Sequence, residues 1–155
     1  MVRTLPSSSA THQKLREHGL HPSKARVAIY EWLIAHPVHP TVDMVFNALR
    51  PQISTLSRTT VYNVLRAFVE CGLAEKVHSE DLELRYDGNP ASHAHFKCTQ
   101  CGSLTDLDSI PTSVPQTVGL PDGFIPHTTA VTLWGLCKKC ASKHLRKTLN
   151  TAFAE

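Results

Sequence analysis

Two pairs of cysteines have the spacing of a closed zinc site. Cys98 and Cys101 form one Cys-x-x-Cys pair, and Cys137 and Cys140 form a second. Two such pairs supply the four thiolates that hold zinc tetrahedrally in structural sites. We therefore predict one structural Zn²⁺ ion on these four residues. The alternative is two disulfides, but the five cysteines are an odd number and residues 1–10 do not resemble a secretory signal.

A second set of metal-binding side chains flanks the first cysteine pair. His93 and His95 precede it, and Asp106 follows it. Residues i and i+2 of a strand point to the same face, so a His-x-His pair can present two imidazoles to one cation. Imidazole and carboxylate donors without sulfur suit Fe²⁺, Mn²⁺ or Zn²⁺. The alternative is a pair of surface histidines on an edge strand, and the spacing alone leaves that alternative open.

Four helices are predicted before this metal-binding stretch. The first covers residues 11–18 and ends at Gly19. Ser23, Thr41 and Ser57 are predicted to cap the other three, because a serine or threonine hydroxyl satisfies a free backbone N–H at a helix start. The second helix covers about 23–35, the third is stopped by Pro51, and the fourth covers about 58–71.

The fourth helix has two faces of different character. Its apolar side chains recur at the helical period and are predicted to face the core: Val61, Val64, Leu65 and Phe68. The opposite face presents Arg58, Thr59, Tyr62, Asn63 and Arg66. Such side chains can contact phosphates and base edges in a DNA groove, although a merely solvated face is the alternative. The preceding helix and short turn resemble a helix-turn-helix, which favours DNA binding.

The chain is predicted to have an α+β fold in two domains. A disordered polar arm over 1–10 is followed by a winged-helix domain over 11–87, a hinge over 88–92 and a second domain over 93–155. The wing is predicted from two strands, at 73–79 and 82–86. In the second domain we predict strands at 94–98, 103–107 and 124–136, and helices at 109–119 and 138–152.

Composition and charge agree with a soluble, cytoplasmic protein. No apolar run among the 155 residues approaches the ~18 residues of a membrane helix, so no membrane association is expected. Residues 1–70 hold eight Lys and Arg against four Asp and Glu, whereas residues 71–136 hold three against eight. This asymmetry suggests nucleic acid at one end and cations in the middle, although ordinary solvated charge would give similar counts.

These motifs together resemble the ferric uptake regulator family over residues 12–150. The markers are His39-Pro-Thr-Val-Asp43, Ser57-Arg-Thr-Thr-Val-Tyr62-Asn63-Val-Leu, Glu70-Cys-Gly-Leu, Arg85-Tyr-Asp87, the stretch from His93 to Asp106, and Trp134-Gly-Leu-Cys137-x-x-Cys140. The resemblance implies a homodimer on a double-stranded DNA operator. Each subunit would have an N-terminal winged helix-turn-helix domain and a C-terminal α/β dimerisation domain with a structural zinc on four cysteines.

The resemblance also implies a second, regulatory metal in each subunit. Its ligands would be His39, Asp87, His93, His95 and Asp106. One cation on ligands from both domains would couple metal occupancy to domain geometry, as a switch requires. Metal binding would then let both recognition helices reach the operator.

The chain is most similar in pattern to the peroxide-responsive branch of the family. Both carboxylates of the regulatory set are Asp, whereas the iron-uptake regulators usually have Glu there. Asn63 after Tyr62 is also typical of the peroxide sensors. By this resemblance, Fe²⁺ reacts with hydrogen peroxide and His39 and His93 are oxidised, while Mn²⁺ supports DNA binding without that chemistry.

Two other functions remain open from the sequence. One is an iron- or zinc-responsive repressor of metal-uptake genes, with the same fold and reversible metal loss. The other is an enzyme, because two histidines and a carboxylate also hold iron in non-haem oxygenases. The sequence shows no substrate-pocket elements or β-barrel pattern, and an enzyme would leave the DNA-reading helix unexplained. We therefore predict that the chain is not an enzyme.

Overall fold

The computed structural model describes residues 7–78, 84–108, 119–125 and 129–144. The chain divides into two compact units, Met1–Ala91 and Ser92–Glu155. The first unit holds four helices and a two-stranded sheet, and the second holds a three-stranded sheet. The predicted α+β class is therefore confirmed. Within the described ranges, no helix has the length and apolar character needed to cross a bilayer.

The helices of the first unit begin at hydroxyl caps. They are α1 (Ser8–Glu17), α2 (Lys24–Ala35), α3 (Val42–Leu49) and α4 (Arg58–Glu70). The predicted caps Ser23, Thr41 and Ser57 each accept the backbone N–H three residues ahead. Each such bond satisfies a donor that the helix itself leaves free, and its loss costs roughly 0.5–2 kcal/mol. The three predicted helix starts are confirmed.

The first helix begins earlier than predicted. Residues 8–10 belong to the predicted disordered arm, but they form the first turn of α1. The reason is Ser7, whose side chain accepts the N–H of Ala10 at 3.3 Å. A serine-rich stretch indicates disorder by composition, yet serine is also a favoured N-cap residue.

The core of the first unit lies between the apolar faces of its helices. All four side chains predicted on the inner face of α4 are buried: Val61, Val64, Leu65 and Phe68. They pack in one cluster with residues of the other three helices, including Leu15, Ile29 and Phe46. Gly72 ends α4 in the left-handed region (φ 76°), which lets the Leu73 N–H bond to the Phe68 carbonyl at 2.8 Å.

The wing of the first unit consists of β1 (Glu75–His78) and β2 (Leu84–Asp87), paired antiparallel with Glu75 opposite Asp87. The first of these strands begins later than predicted. Leu73 and Ala74 lie in the range of the predicted strand, but they are buried in the helical core and precede β1. Their apolar character therefore serves helix packing and not strand pairing.

The second unit is built around β3 (Ala94–Cys98). It pairs antiparallel with β4 (Leu104–Leu107) and parallel with β5 (Thr132–Gly135), so that β3 is the central strand. The first two strands match the prediction. The strand predicted over 124–136 was too long, since 124–125 and 129–131 are not in strand conformation. Threonine- and valine-rich composition favours a strand but does not fix its ends.

The helix predicted over 138–152 is helical over the described residues 138–144. Its remainder lies outside the described residues. The helix predicted over 109–119 also lies outside them, except for Gly119, which is in a turn.

Candidate metal centres and nucleic-acid interface

The four cysteines of the predicted zinc site converge at one end of the three-stranded sheet. Cys98 ends β3, Cys101 lies in the turn that leads to β4, and Cys137 follows β5. Cys140 lies in the helical residues 138–144 and is buried. The four Sγ atoms all lie within 4.8 Å of one another. Pairing β3 with both neighbours therefore brings the two Cys-x-x-Cys pairs together into a four-cysteine cluster.

The spacing of the sulfur atoms fits a tetrahedral cation. Zn–S bonds of about 2.3 Å place neighbouring sulfurs of a tetrahedron about 3.8 Å apart. The Sγ atoms of Cys101 and Cys137 are 3.8 Å apart. A disulfide requires about 2.05 Å, and all five cysteines of the chain are free thiols. The cluster is suitable for a structural zinc ion, and the alternative of two disulfides is not what the structure contains.

The local environment shifts the pKa values of three of these thiols in different directions. The Cys137 N–H donates to Cys98 Sγ at 3.3 Å, and this bond is the main cause that lowers the pKa of Cys98 to about 6. Hydrogen bonds with Ser103 lower the pKa of Cys101. Burial, together with the neighbouring thiols, raises the pKa of Cys140 to about 12. A bound cation would remove this conflict by stabilising all four thiolates.

In the first unit, His39 and Asp87 form a buried pair. The His39 Nε2 atom lies 3.6 Å from Asp87 Oδ2, with side-chain exposures of 0 % and 2 %. The Asp87 Oδ1 atom accepts the backbone N–H of Asn89 at 2.8 Å, so the carboxylate is fixed in place. A separation of 3.6 Å is longer than a hydrogen bond, and it leaves both atoms within reach of one divalent cation.

The backbone around His39 is held in place by the wing. His39 adopts φ 49°, a left-handed conformation that is uncommon for residues other than glycine. The Tyr86 N–H donates to the Pro40 carbonyl at 3.0 Å, and the Arg85 guanidinium donates to the His39 carbonyl at 3.1 Å. These bonds stabilise the unusual conformation, which is often found at functional sites. The sequence alone indicates no such role for Arg85 or Tyr86, because bonds to a distant carbonyl leave no local signal.

In the second unit, His93, His95 and Asp106 lie together. The Nε2 atoms of His93 and His95 are 3.0 Å apart, and His93 Nε2 is 3.6 Å from Asp106 Oδ1. His95 and Asp106 are register partners across β3 and β4. Since β3 is the central strand and His95 is buried, the alternative of surface histidines on an edge strand is wrong. The set offers two imidazole nitrogens and one carboxylate oxygen, which suit a divalent cation.

The outer face of α4 presents polar side chains to solvent. Thr59, Tyr62 and Asn63 are exposed, with Tyr62 exposed by 43 %. The two arginines of the predicted DNA-contacting set are both engaged within the unit. The Arg58 Nε atom donates to Asp43 Oδ1, and the Arg66 Nε atom lies 3.4 Å from Glu70 Oε1. Helix α4 thus carries a neutral exposed face between two ion-paired arginines.

Comparisons with known proteins agree with this architecture. The model of the ferric uptake regulator family matches residues 17–122. The peroxide-responsive repressor PerR of Staphylococcus aureus is 31 % identical over 131 residues, which cover 83 % of this chain and 88 % of that protein. The solved structure of the Helicobacter pylori ferric uptake regulator has a TM-score of 0.64 at 18 % identity, covering 91 % of this chain and 97 % of that one.

A third similarity is to a solved PerR of Streptococcus pyogenes, with a TM-score of 0.50 at 27 % identity, covering 88 % of this chain and 94 % of that one. Proteins of the matched family are dimeric DNA-binding regulators of transcription, not enzymes. The four-cysteine cluster fits a structural zinc ion, and the His and Asp sets fit a regulatory metal ion. The chain belongs to the ferric uptake regulator family and is a metal-responsive, DNA-binding regulator of transcription.

Proposed function

We propose that this chain is a metal-dependent repressor that senses hydrogen peroxide through iron-catalysed oxidation of its regulatory histidines. The observation that carries this proposal is the donor chemistry of the two histidine–aspartate sets. His39 with Asp87, and His93 with His95 and Asp106, offer only imidazole nitrogen and carboxylate oxygen. Such donors bind Fe²⁺ and leave it redox-active, whereas the thiols are gathered in the separate four-cysteine cluster. The relative at 31 % identity is itself called a peroxide-responsive repressor.

We assign the metals by donor type. The structural ion is Zn²⁺ on Cys98, Cys101, Cys137 and Cys140, one per subunit. The regulatory ion is Fe²⁺ or Mn²⁺, one per subunit, with His39, Asp87, His93, His95 and Asp106 as its ligands. A cation that takes ligands from both sets would favour one arrangement of the two units over others. DNA affinity would then depend on metal occupancy through that preference.

Oxidation of the histidines would reverse this switch. Fe²⁺ held by these residues would activate hydrogen peroxide beside its ligands. One peroxide oxygen would be added to a ring carbon of His39 or His93, and the other would leave as water. An oxidised imidazole is a poorer donor, so the chain would lose the metal and release DNA. With Mn²⁺ the same residues would support DNA binding without being oxidised.

The operator would be read by the exposed face of α4 in two copies of the chain. Thr59, Tyr62 and Asn63 are neutral, exposed and able to donate to or accept from base edges. Two features of β5 support the proposal of a homodimer. Among the described strands, β5 pairs only with β3. Trp134 is 54 % exposed and Leu133 42 %, on opposite faces of the strand, and a homodimer would bury apolar side chains of this kind. Double-stranded DNA and a second identical chain are therefore the proposed partners.

A DNA-release assay tests this function. Protein that contains zinc is loaded with Fe²⁺ or Mn²⁺, bound to its operator and treated with hydrogen peroxide. The iron form should release DNA, and fresh Mn²⁺ should not restore binding because the ligands have been altered. The manganese form should stay bound. If peroxide has no lasting effect while chelators release DNA reversibly, the chain is instead an iron- or zinc-responsive repressor of metal-uptake genes.

A further inference from the structure

An ion pair connects the first turns of α3 and α4. The Arg58 Nε atom, at the first residue of α4, donates to Asp43 Oδ1 in the first turn of α3, across 15 residues of sequence. The Arg58 guanidinium also lies over the Phe46 ring, 4.6 Å from its centroid. Phe46 is itself part of the buried core. Arg58 thus contacts both a carboxylate and an aromatic ring.

These contacts leave Arg58 poorly placed to act as a free phosphate ligand. Its charge is balanced by Asp43, and its planar group is oriented by the Phe46 ring. The Asp43 carboxylate is also stabilised at its position by the helix dipole, because it lies in the first turn of α3. Releasing Arg58 to DNA would cost both interactions and expose an unpaired acid near the phosphates.

We propose that Arg58 is a positioning residue, which Asp43 and Phe46 hold so that it fixes the start of α4 relative to α3. It would act on operator selectivity by orienting the neutral face with Tyr62 and Asn63, not by contacting phosphate. This inference rests on the proposed reading of DNA by α4. It gives Asp43 a role in DNA recognition although Asp43 is an acidic residue.

The effect of Asp43→Asn on DNA affinity distinguishes a positioning role of Arg58 from a direct phosphate contact. If Arg58 contacted phosphate, Asp43→Asn would free the arginine, remove a negative charge and tighten binding to every duplex. If Asp43 holds Arg58 in place, the same change lowers the preference for the operator. The pair is exposed, with side-chain exposures of 62 % and 64 %, so the variants should fold. Equal thermal unfolding midpoints would verify this.

The experiment measures binding of full-length, manganese-loaded protein to two labelled duplexes. One is selected by the wild type from a pool of random sequences, and the other is a scrambled version of it. We expect Asp43→Asn and Arg58→Ala each to lower the ratio of operator affinity to scrambled-duplex affinity roughly threefold. The effect is small because an exposed ion pair contributes little energy. The double variant should be no worse than either single one. The salt dependence of operator binding should be the same for Arg58→Ala and wild type.

Glu70→Gln is the matched control. It makes the same charge change on α4 and breaks the exposed Arg66–Glu70 pair, yet it should leave the ratio unchanged. Tighter operator binding by Asp43→Asn, or a salt slope reduced by about 0.9 in Arg58→Ala, would overturn the inference in favour of a phosphate contact. An unchanged ratio in both single variants would also overturn it. If no duplex is selected at all, DNA reading by α4 fails and this inference fails with it.

Discussion

The His39 Nε2 atom lies 3.6 Å from Asp87 Oδ2, and both side chains are almost fully buried. The pair depends on the wing, since Tyr86 and Arg85 hold the carbonyls of Pro40 and His39. In the proposed function, this buried imidazole and carboxylate are two ligands of one cation.

Asp87→Asn should weaken Mn²⁺ binding by at least about tenfold, because an amide oxygen replaces an anionic ligand. The new side chain can still accept the Asn89 N–H, so the fold should be preserved. Isothermal titration with Mn²⁺ measures the effect. Asp108→Asn is the control, since Asp108 is an exposed acid directly after β4. Equal Mn²⁺ affinity in the two variants would exclude Asp87 as a ligand.

Opposite faces of α4 should respond differently to truncation. Tyr62→Ala should remove operator binding while changing stability little, because Tyr62 is 43 % exposed. Phe68→Ala should instead lower the free energy of unfolding by about 3–5 kcal/mol, since it empties a fully buried position. Fluorescence anisotropy with operator DNA and urea unfolding measure the two effects. Retained operator affinity in Tyr62→Ala would show that this face does not read DNA.

Zinc binding should strengthen as pH rises, and it should release fewer than four protons near neutral pH. The lowered pKa of Cys98, about 6, means that this thiol has already lost its proton at pH 7.5. The raised pKa of Cys140, about 12, means that this thiol is still protonated and must lose its proton to bind the ion. Calorimetry of zinc-free protein in buffers of different ionisation enthalpy counts the protons. Release of four would contradict the low pKa of Cys98.

Trp134→Glu should separate the proposed homodimer into subunits. The new charge would be placed in the apolar surface of β5 that two copies are proposed to bury. Light scattering coupled to size-exclusion chromatography should then give the mass of a single 17.1 kDa chain, and twice that mass for wild type. Met44→Glu, at a 41 % exposed position of α3, should stay dimeric. A dimeric Trp134→Glu would place the interface elsewhere.

Local signals predicted most of the first unit. The starts of α2, α3 and α4 follow from hydroxyl caps, and the buried face of α4 follows from the helical period of Val61, Val64, Leu65 and Phe68. The four-cysteine cluster was equally predictable, because its chemistry depends on two short spacings. These features need only residues that are close together in sequence.

Features that depend on distant residues could not be predicted in the same way. The engagement of Arg58 by Asp43 requires the packing angle of α3 and α4, which no local pattern specifies. The left-handed conformation of His39 depends on bonds from the wing. The start of β5 depends on which residues pair with β3, so composition alone placed it too early.

Mass spectrometry of the oxidised chain tests the central claim most directly. The zinc-containing protein is loaded with Fe²⁺, exposed to a low concentration of hydrogen peroxide and digested, with a manganese-loaded sample treated in parallel. Peroxide sensing predicts one added oxygen on His39 or His93 in the iron sample alone. Unmodified histidines in a sample that still binds DNA in a metal-dependent manner would contradict the account and support a repressor that responds to metal supply.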